Sequence, residues 1–240
     1  MINIFTFKWG TKYGARHVNT LYKGFQRHLG VPFSLTCITD DAGGLFDDIR
    51  VIDYNDFDPF DYPKDQIFTR EKLVLFDRFR TGRNIWVDLD VLIHGDIGEM
   101  VNKTIERPTF IWNHWNDLGR SYNWYGKGGS CHVNSSFVMW DGDMGQEIWQ
   151  YLLRFEKEAF FTYKSLDKFL FYQCHRKGMM DYWPEGFISN FNREGFQKKG
   201  KISIFNTSHI SRNKGINEVA YELEEVPSGW AKELWEEYDT

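Results

Sequence analysis

The chain contains no apolar run approaching the roughly 18 residues a membrane-spanning helix needs, no low-complexity tract, no internal repeat and no long basic stripe. These gaps argue against a membrane span, a solenoid or disordered architecture, and a nucleic-acid partner. Cysteine is scarce. Cys37, Cys131 and Cys174 are scattered, odd in number and without metal-ligand spacing, so neither a disulfide framework nor a zinc site is expected. That usage fits a reducing, cytoplasmic compartment. The opening stretch MINIFTFKWG lacks the basic region and apolar core of a secretory signal and reads as a strand.

What the chain does have is a core and many rings. Its 240 residues are 42% hydrophobic, which suits one α/β domain with a short C-terminal tail. Aromatic residues reach 18%, with 10 Trp, 12 Tyr and 21 Phe. Most belong in a core, but the surplus also suits a pocket whose walls stack on bases or sugars.

Periodicity predicts a first strand over 2–7, then a helix on which Val18, Leu21, Tyr22, Phe25 and Leu29 share a face and which Gly30 and Pro32 stop. Strands are expected at 33–41 and 49–53, a loop at 55–65, a helix over roughly 68–80 and a strand at 84–88. The order implies an α/β sheet with parallel components, in which ligands gather at the carboxyl ends of strands. The stretch 109–132 reads as an irregular, pocket-lining loop. A strand at 132–140, helices from Ile148 to Phe155 and over about 165–176, and a strand at 201–205 follow. The acidic tail from 216, with Trp230 and Trp235, is expected to pack as a helix on the outside.

The sharpest chemical signal is NIWVDLDVLI, Asn84–Ile93. Strand alternation would put Asp88 and Asp90 on one face, where two like charges call for a cation between them. Oxygen ligands of this kind favour Mg²⁺ or Mn²⁺. One architecture with such a motif is the haloacid-dehalogenase phosphatase, in which the first Asp is a nucleophile ending the first strand; here three strands precede.

Other segments fall in a consistent order: FTFKWGTKYGARHVNTLYKGFQRH with LTCITDD, TREKLVLF, DLDVLIHGDIGEM, VNSSFVMWD, SLDKFLF, WPEGFISNFN and KISIFNTSHI. Together, over nearly residues 2–212, they resemble GT-A glycosyltransferases, and within them family 8, the glycogenin and bacterial galactosyltransferase group. Ser136 stands where that group has Gly, and Lys168 where it has Gln. The resemblance implies a GT-A (Rossmann-like) fold with a mixed, mostly parallel sheet flanked by helices. It implies a single domain over 1–240, with a nucleotide-binding half (1–100), an acceptor and sugar half (101–215) and a tail (216–240).

By the same resemblance, Asp88 and Asp90 hold the metal, Asp88 also touches the ribose, and the third ligand is either His209, the nearest His, or Asn206, which stands in the slot the group uses. Thr6, Tyr13 and Asp40 serve the nucleoside. Lys72, Arg212 and Lys214 pair with diphosphate oxygens. Asn134 and Asp167 face the transferred sugar, Asp167 at a helix start behind Ser165 as N-cap. Trp112, His114, Trp115 and Trp124 form an acceptor platform. The implied activity is a retaining hexosyl transfer from a nucleotide-sugar, UDP favoured over GDP, to a hydroxyl of a carbohydrate or glycoconjugate, dependent on Mn²⁺ or Mg²⁺. The alternatives are the phosphatase and a sugar-binding module without turnover.

Overall fold

A computed structural model describes residues 1–57, 69–115, 131–163, 165–191, 193–205 and 227–239. The chain forms two compact units, each assembled from separate stretches. The first comprises Met1–Asp56, Val87–Lys103 and Gly186–Thr240; the second comprises Phe57–Trp86 and Thr104–Glu185.

In the first unit, β1 (Ile2–Lys8), β2 (Phe33–Thr39) and β3 (Arg50–Asp53) run parallel with β1 and β3 flanking β2. The helix α1 (Ala15–His28) buries Val18, Leu21 and Phe25, the face its periodicity predicts. It stops where Gly30 takes a φ of +71°, a left-handed conformation that costs glycine little. A small second sheet joins β5 (Val91–Ile93), β10 (Ile202–Ile204) and β9 (Ile188–Asn190), with β10 in the middle, antiparallel to β5 and parallel to β9. The short helix α3 (Gly98–Asn102) follows β5.

The C-terminal helix α7 (Gly229–Tyr238) packs on the outside of the first unit, as expected: Lys232, Glu233, Glu236 and Glu237 are exposed while one face is buried. Trp235, 1% exposed, joins Leu92, Phe191, Phe205, Ala231 and Tyr238 in one apolar cluster. Arg16 lies over the Trp235 ring at 4.3 Å and pairs with Asp239 at 3.1 Å. The Tyr238 hydroxyl donates to the carbonyl of Ile93 at 3.1 Å. Glu233, Glu236 and Glu237 of α7 face water, while Trp235 and Tyr238 turn inward, because burying an aromatic ring gains far more than leaving it wet.

In the second unit the strand order is β4 (Arg83–Val87), β7 (Val133–Asp141), β6 (Thr109–Trp112), β8 (Asp181–Tyr182). The strand β6 is a correction, since 109–132 reads in the sequence as an irregular loop. It pairs antiparallel with β7 and parallel with β8. Phe76 of α2 (Glu71–Arg78), Trp86, Phe110 and Trp140 fill the core with tilted and edge-on ring contacts at 5.1–5.9 Å. The helices α4 (Gln146–Arg154) and α5 (Glu156–Thr162) follow β7. The helix α6 (Leu166–Phe169) widens into a π-helical turn at Leu170–Cys174, tightens at His175–Lys177 and stops at Gly178, φ +68°.

Candidate active site

The carboxylate pair does not lie in a strand. The fourth strand ends at Val87, residues 88–90 turn, and β5 starts at Val91, so Asp88 and Asp90 do not share a strand face as alternation predicted. Alternation holds only inside one strand, and here the chain leaves β4 for the small sheet. Asp88 is half-buried and Asp90 is 6% exposed. The turn is fixed from below: the carbonyl of Asp90 accepts from the backbone N–H of Phe205 at 2.8 Å, and Val91 stands opposite Ile204. The chain therefore leaves β10 beside Asp90 on its way to residue 206.

The donor set offered here is all oxygen, which fits Mg²⁺ or Mn²⁺ and not a thiolate-seeking metal. Among the described residues, no group of three or more His, Cys, Asp or Glu side chains gathers to hold an ion. Two carboxylates leave most of an octahedral shell to other ligands. His209, Arg212 and Lys214, like Asn206, lie outside the described residues.

The carboxyl ends of β1 and β2 bring a second group together. Asp40, exposed, accepts from the N–H of Gly10 at 3.0 Å. Lys8, 4% exposed, donates from Nζ to the carbonyl of Asp41 at 2.8 Å, with the Asp41 carboxylate 3.8 Å away. Tyr13 sits edge-on to His17, ring centroids 5.1 Å apart, and Lys12 Nζ lies 4.9 Å from its ring centroid. Thr6 is wholly buried, and its hydroxyl has no hydrogen-bond partner among the described residues. Lys8 and Trp9 escaped the sequence reading. Trp9 is 39% exposed and stacks on Tyr54 at 5.8 Å. The available signal was position: a lysine closing a mostly apolar strand is held there by something acidic or by a carbonyl.

In the second unit Lys72 is buried in the first turn of α2. Asn134 and Asp167 come close through one residue. The Oδ1 of Asp167 accepts from both the N–H and the hydroxyl of Ser135, at 3.0 and 2.6 Å. The Oδ1 of Asn134 accepts from the N–H of Ser136 at 2.9 Å. Ser165 caps α6 as expected, its hydroxyl accepting from the N–H of Lys168 at 3.4 Å.

Trp112 is half-buried in a ring cluster. It stacks on His132 at 5.1 Å and 17°, and meets His175 at 5.2 Å and Tyr182 at 4.9 Å. The Tyr182 hydroxyl lies 2.7 Å from His175 Nδ1. Burial holds both imidazoles below their ordinary pKa, with Arg176 and His132 adding to the effect at His175. His114 is exposed, 3.8 Å from Glu185, and Trp115 is partly buried. Trp124 lies outside the described residues.

No family model matches the chain, and no curated protein matches it by sequence. Its fold, however, is that of the GT-A glycosyltransferases, a mixed, mostly parallel α/β architecture. The chain is similar to the glycosyltransferase GlyE of Streptococcus pneumoniae TIGR4, with a TM-score of 0.60 and 12% identity over 99% of this chain and 59% of that one. It thus spans about three fifths of that protein's length. It is also similar to the galactosyltransferase LgtC, solved with donor and acceptor sugar analogues, with a TM-score of 0.58 and 14% identity over 96% of this chain and 99% of that one. Mouse xyloside xylosyltransferase 1 gives a TM-score of 0.56 and 11% identity, over 87% and 99% of the two chains. At such identities the likeness is one of fold.

Proposed function

We propose that the chain is a metal-dependent glycosyltransferase. It transfers a sugar from a nucleotide-sugar, UDP in preference to GDP, to a hydroxyl of a carbohydrate or glycoconjugate acceptor, with retention of configuration. The observation that carries this reading is the carboxylate pair in the turn after β4 of a GT-A fold. The phosphatase alternative needs its first carboxylate at the end of the first strand, whereas this pair follows the fourth. Among the described residues no helix is long and apolar enough to cross a membrane, and we place the activity in the cytoplasm.

Asp88 and Asp90 would hold Mn²⁺ or Mg²⁺, with His209 as third protein ligand. Bound there, the cation would neutralise charge on the departing diphosphate. Tyr13 stacks on the base, Asp40 accepts a hydrogen bond from base or ribose, and Asp88 also touches the ribose. Thr6 lines the floor beneath them. Lys72, Arg212 and Lys214 pair with diphosphate oxygens. Asn134 and Asp167 orient the sugar, and the Asp167 carboxylate steadies positive charge at the reacting carbon. Trp112, His114, Trp115 and Trp124 present rings and polar edges to the acceptor.

Two carboxylates cannot complete an octahedral shell, so metal and nucleotide should bind together and each alone weakly. Calorimetry of UDP and GDP binding tests this, with Mn²⁺ and with chelator, on the native protein and Asp90→Ala. Metal-dependent binding to the native protein alone is expected. Tight nucleotide binding by Asp90→Ala, or binding indifferent to chelator, would remove the metal assignment. Sugar binding without any nucleotide effect would replace the enzyme with a lectin-like module.

A further inference from the structure

The register between β6 and β7 jumps. Thr109 stands opposite Met139 and Ile111 opposite Asn134, so a two-residue step on β6 faces a five-residue step on β7. Ser135 lies in that extra length. Extra residues of this kind leave the strand ladder and re-aim what they carry. Both backbone groups of Ser135 bind side chains: its carbonyl accepts from Trp86 Nε1 at 2.5 Å, and its N–H donates to Asp167 Oδ1 at 3.0 Å. Its hydroxyl donates to the same oxygen at 2.6 Å. The residue is 4% exposed.

Two donors from one residue converging on one carboxylate oxygen fix the torsions of that carboxylate, and an O–H to O⁻ bond of this length belongs to the strong, charge-assisted kind. The helix carrying Asp167 is short, so its own turn gives the side chain little stiffness. It is held instead by the Ser165 cap and by the Cys131 thiol, which donates to the Asp167 carbonyl at 3.1 Å. Packing alone would not require a hydroxyl at position 135. An alanine would fill the same strand position and keep the backbone N–H bond.

We infer that Ser135 is a positioning residue for sugar transfer: released from the strand ladder by the β6–β7 register jump, it locks the Asp167 carboxylate in the orientation that faces the transferred sugar. The inference rests on the function proposed above and adds a residue to it. Ser135 does not touch the sugar; it acts through Asp167.

The test is a double-mutant cycle on Ser135→Ala and Asp167→Asn, with UDP- and GDP-hexoses and Mn²⁺ as probes and nucleotide release as readout. Ser135→Ala should lower kcat about 10- to 100-fold, the range for one hydrogen bond to a charged group, with the donor KM and the heat of UDP binding close to native. Ser135→Thr, which retains the hydroxyl, should recover most of that loss. Ser135→Cys, nearly isosteric with a weaker donor, should fall between. In the Asp167→Asn background, Ser135→Ala should cost little more, because the carboxylate it orients is gone. Native turnover with losses that multiply in the double variant, or with Ser135→Thr no better than Ser135→Ala, would overturn the positioning role alone. No release by the native protein from any of these donors would overturn the proposed function and this inference with it.

Discussion

His94 gives the fold a weakness to acid whose size follows from its surroundings. The imidazole is 7% exposed, just past the end of β5 and four residues beyond Asp90. Its Nε2 lies 2.9 Å from the hydroxyl of Ser203, which is itself 3.0 Å from that of Ser189, and Trp230 meets the ring edge-on at 5.1 Å. Its Nδ1 has no hydrogen-bond partner among the described residues. Burial first, then the charges of Lys198, His28 and Lys201, push its pKa from 6.5 down to about 4. The unfolded imidazole takes its proton near pH 6.5 while the folded one resists until about 4. Acid therefore favours the unfolded chain across that window. The stability is fully present above pH 6.5 and lost as pH falls towards 4. The gap amounts to about 3 kcal/mol in full, of which about 2 kcal/mol is lost between pH 7.5 and 5. For a chain of this length that lowers the Tm by roughly 4–8 °C. His94→Gln keeps a polar partner for Ser203 and does not titrate. Melting native and variant protein at pH 7.5 and pH 5 isolates the effect, because the other titrating groups cancel. The native protein should lose about 2 kcal/mol more than the variant. Parallel losses would show that His94 titrates normally and that the sheet under the carboxylate turn is not acid-sensitive.

Asp167→Asn should leave UDP binding intact and cut transfer by ~10²-fold or more, the scale of one well-placed polar group, measured by isothermal calorimetry beside steady-state turnover. Trp235→Ala empties the centre of the cluster beneath β5 and β10 and should cost about 3–5 kcal/mol, seen in urea titration as a lower midpoint with an unchanged slope. Trp112→Ala and Trp115→Ala should separate: the first removes the middle of a ring cluster and lowers the Tm, while the second raises the acceptor KM with the Tm near native. Equal melting losses in both variants would make Trp115 part of the core.

The elements that the sequence revealed are those whose signal is local. The α1 face repeats every three to four residues, Gly30 supplies a left-handed stop, and Ser165 sits where a cap must be. The strand β6 was hidden because it has only four residues and runs into a stretch rich in glycine and aromatics. The turn at 88–90 was hidden because alternation carries no mark of where a chain changes sheet. At the site, the carboxylate pair was legible as a pair. The bond from Ser135 to Asp167 joins residues 32 apart through an irregular register, and no periodicity encodes that.

The clasp of α7 on β5 also sets an order in time. Tyr238 bonds the carbonyl of Ile93 across 145 residues of chain, and Arg27 reaches Glu237 across 210. During synthesis the turn that carries Asp88 and Asp90 leaves the ribosome long before the helix that closes the apolar cluster beneath it. The first unit therefore waits, with α1 and β5 presenting apolar surface, until residues 229–238 emerge. A nascent chain arrested before that point should bind metal and nucleotide poorly and should be a client for chaperones that hold exposed apolar surface. On the proposed function, turnover would begin only once α7 has closed on β5, as one event, rather than growing as the strands appear.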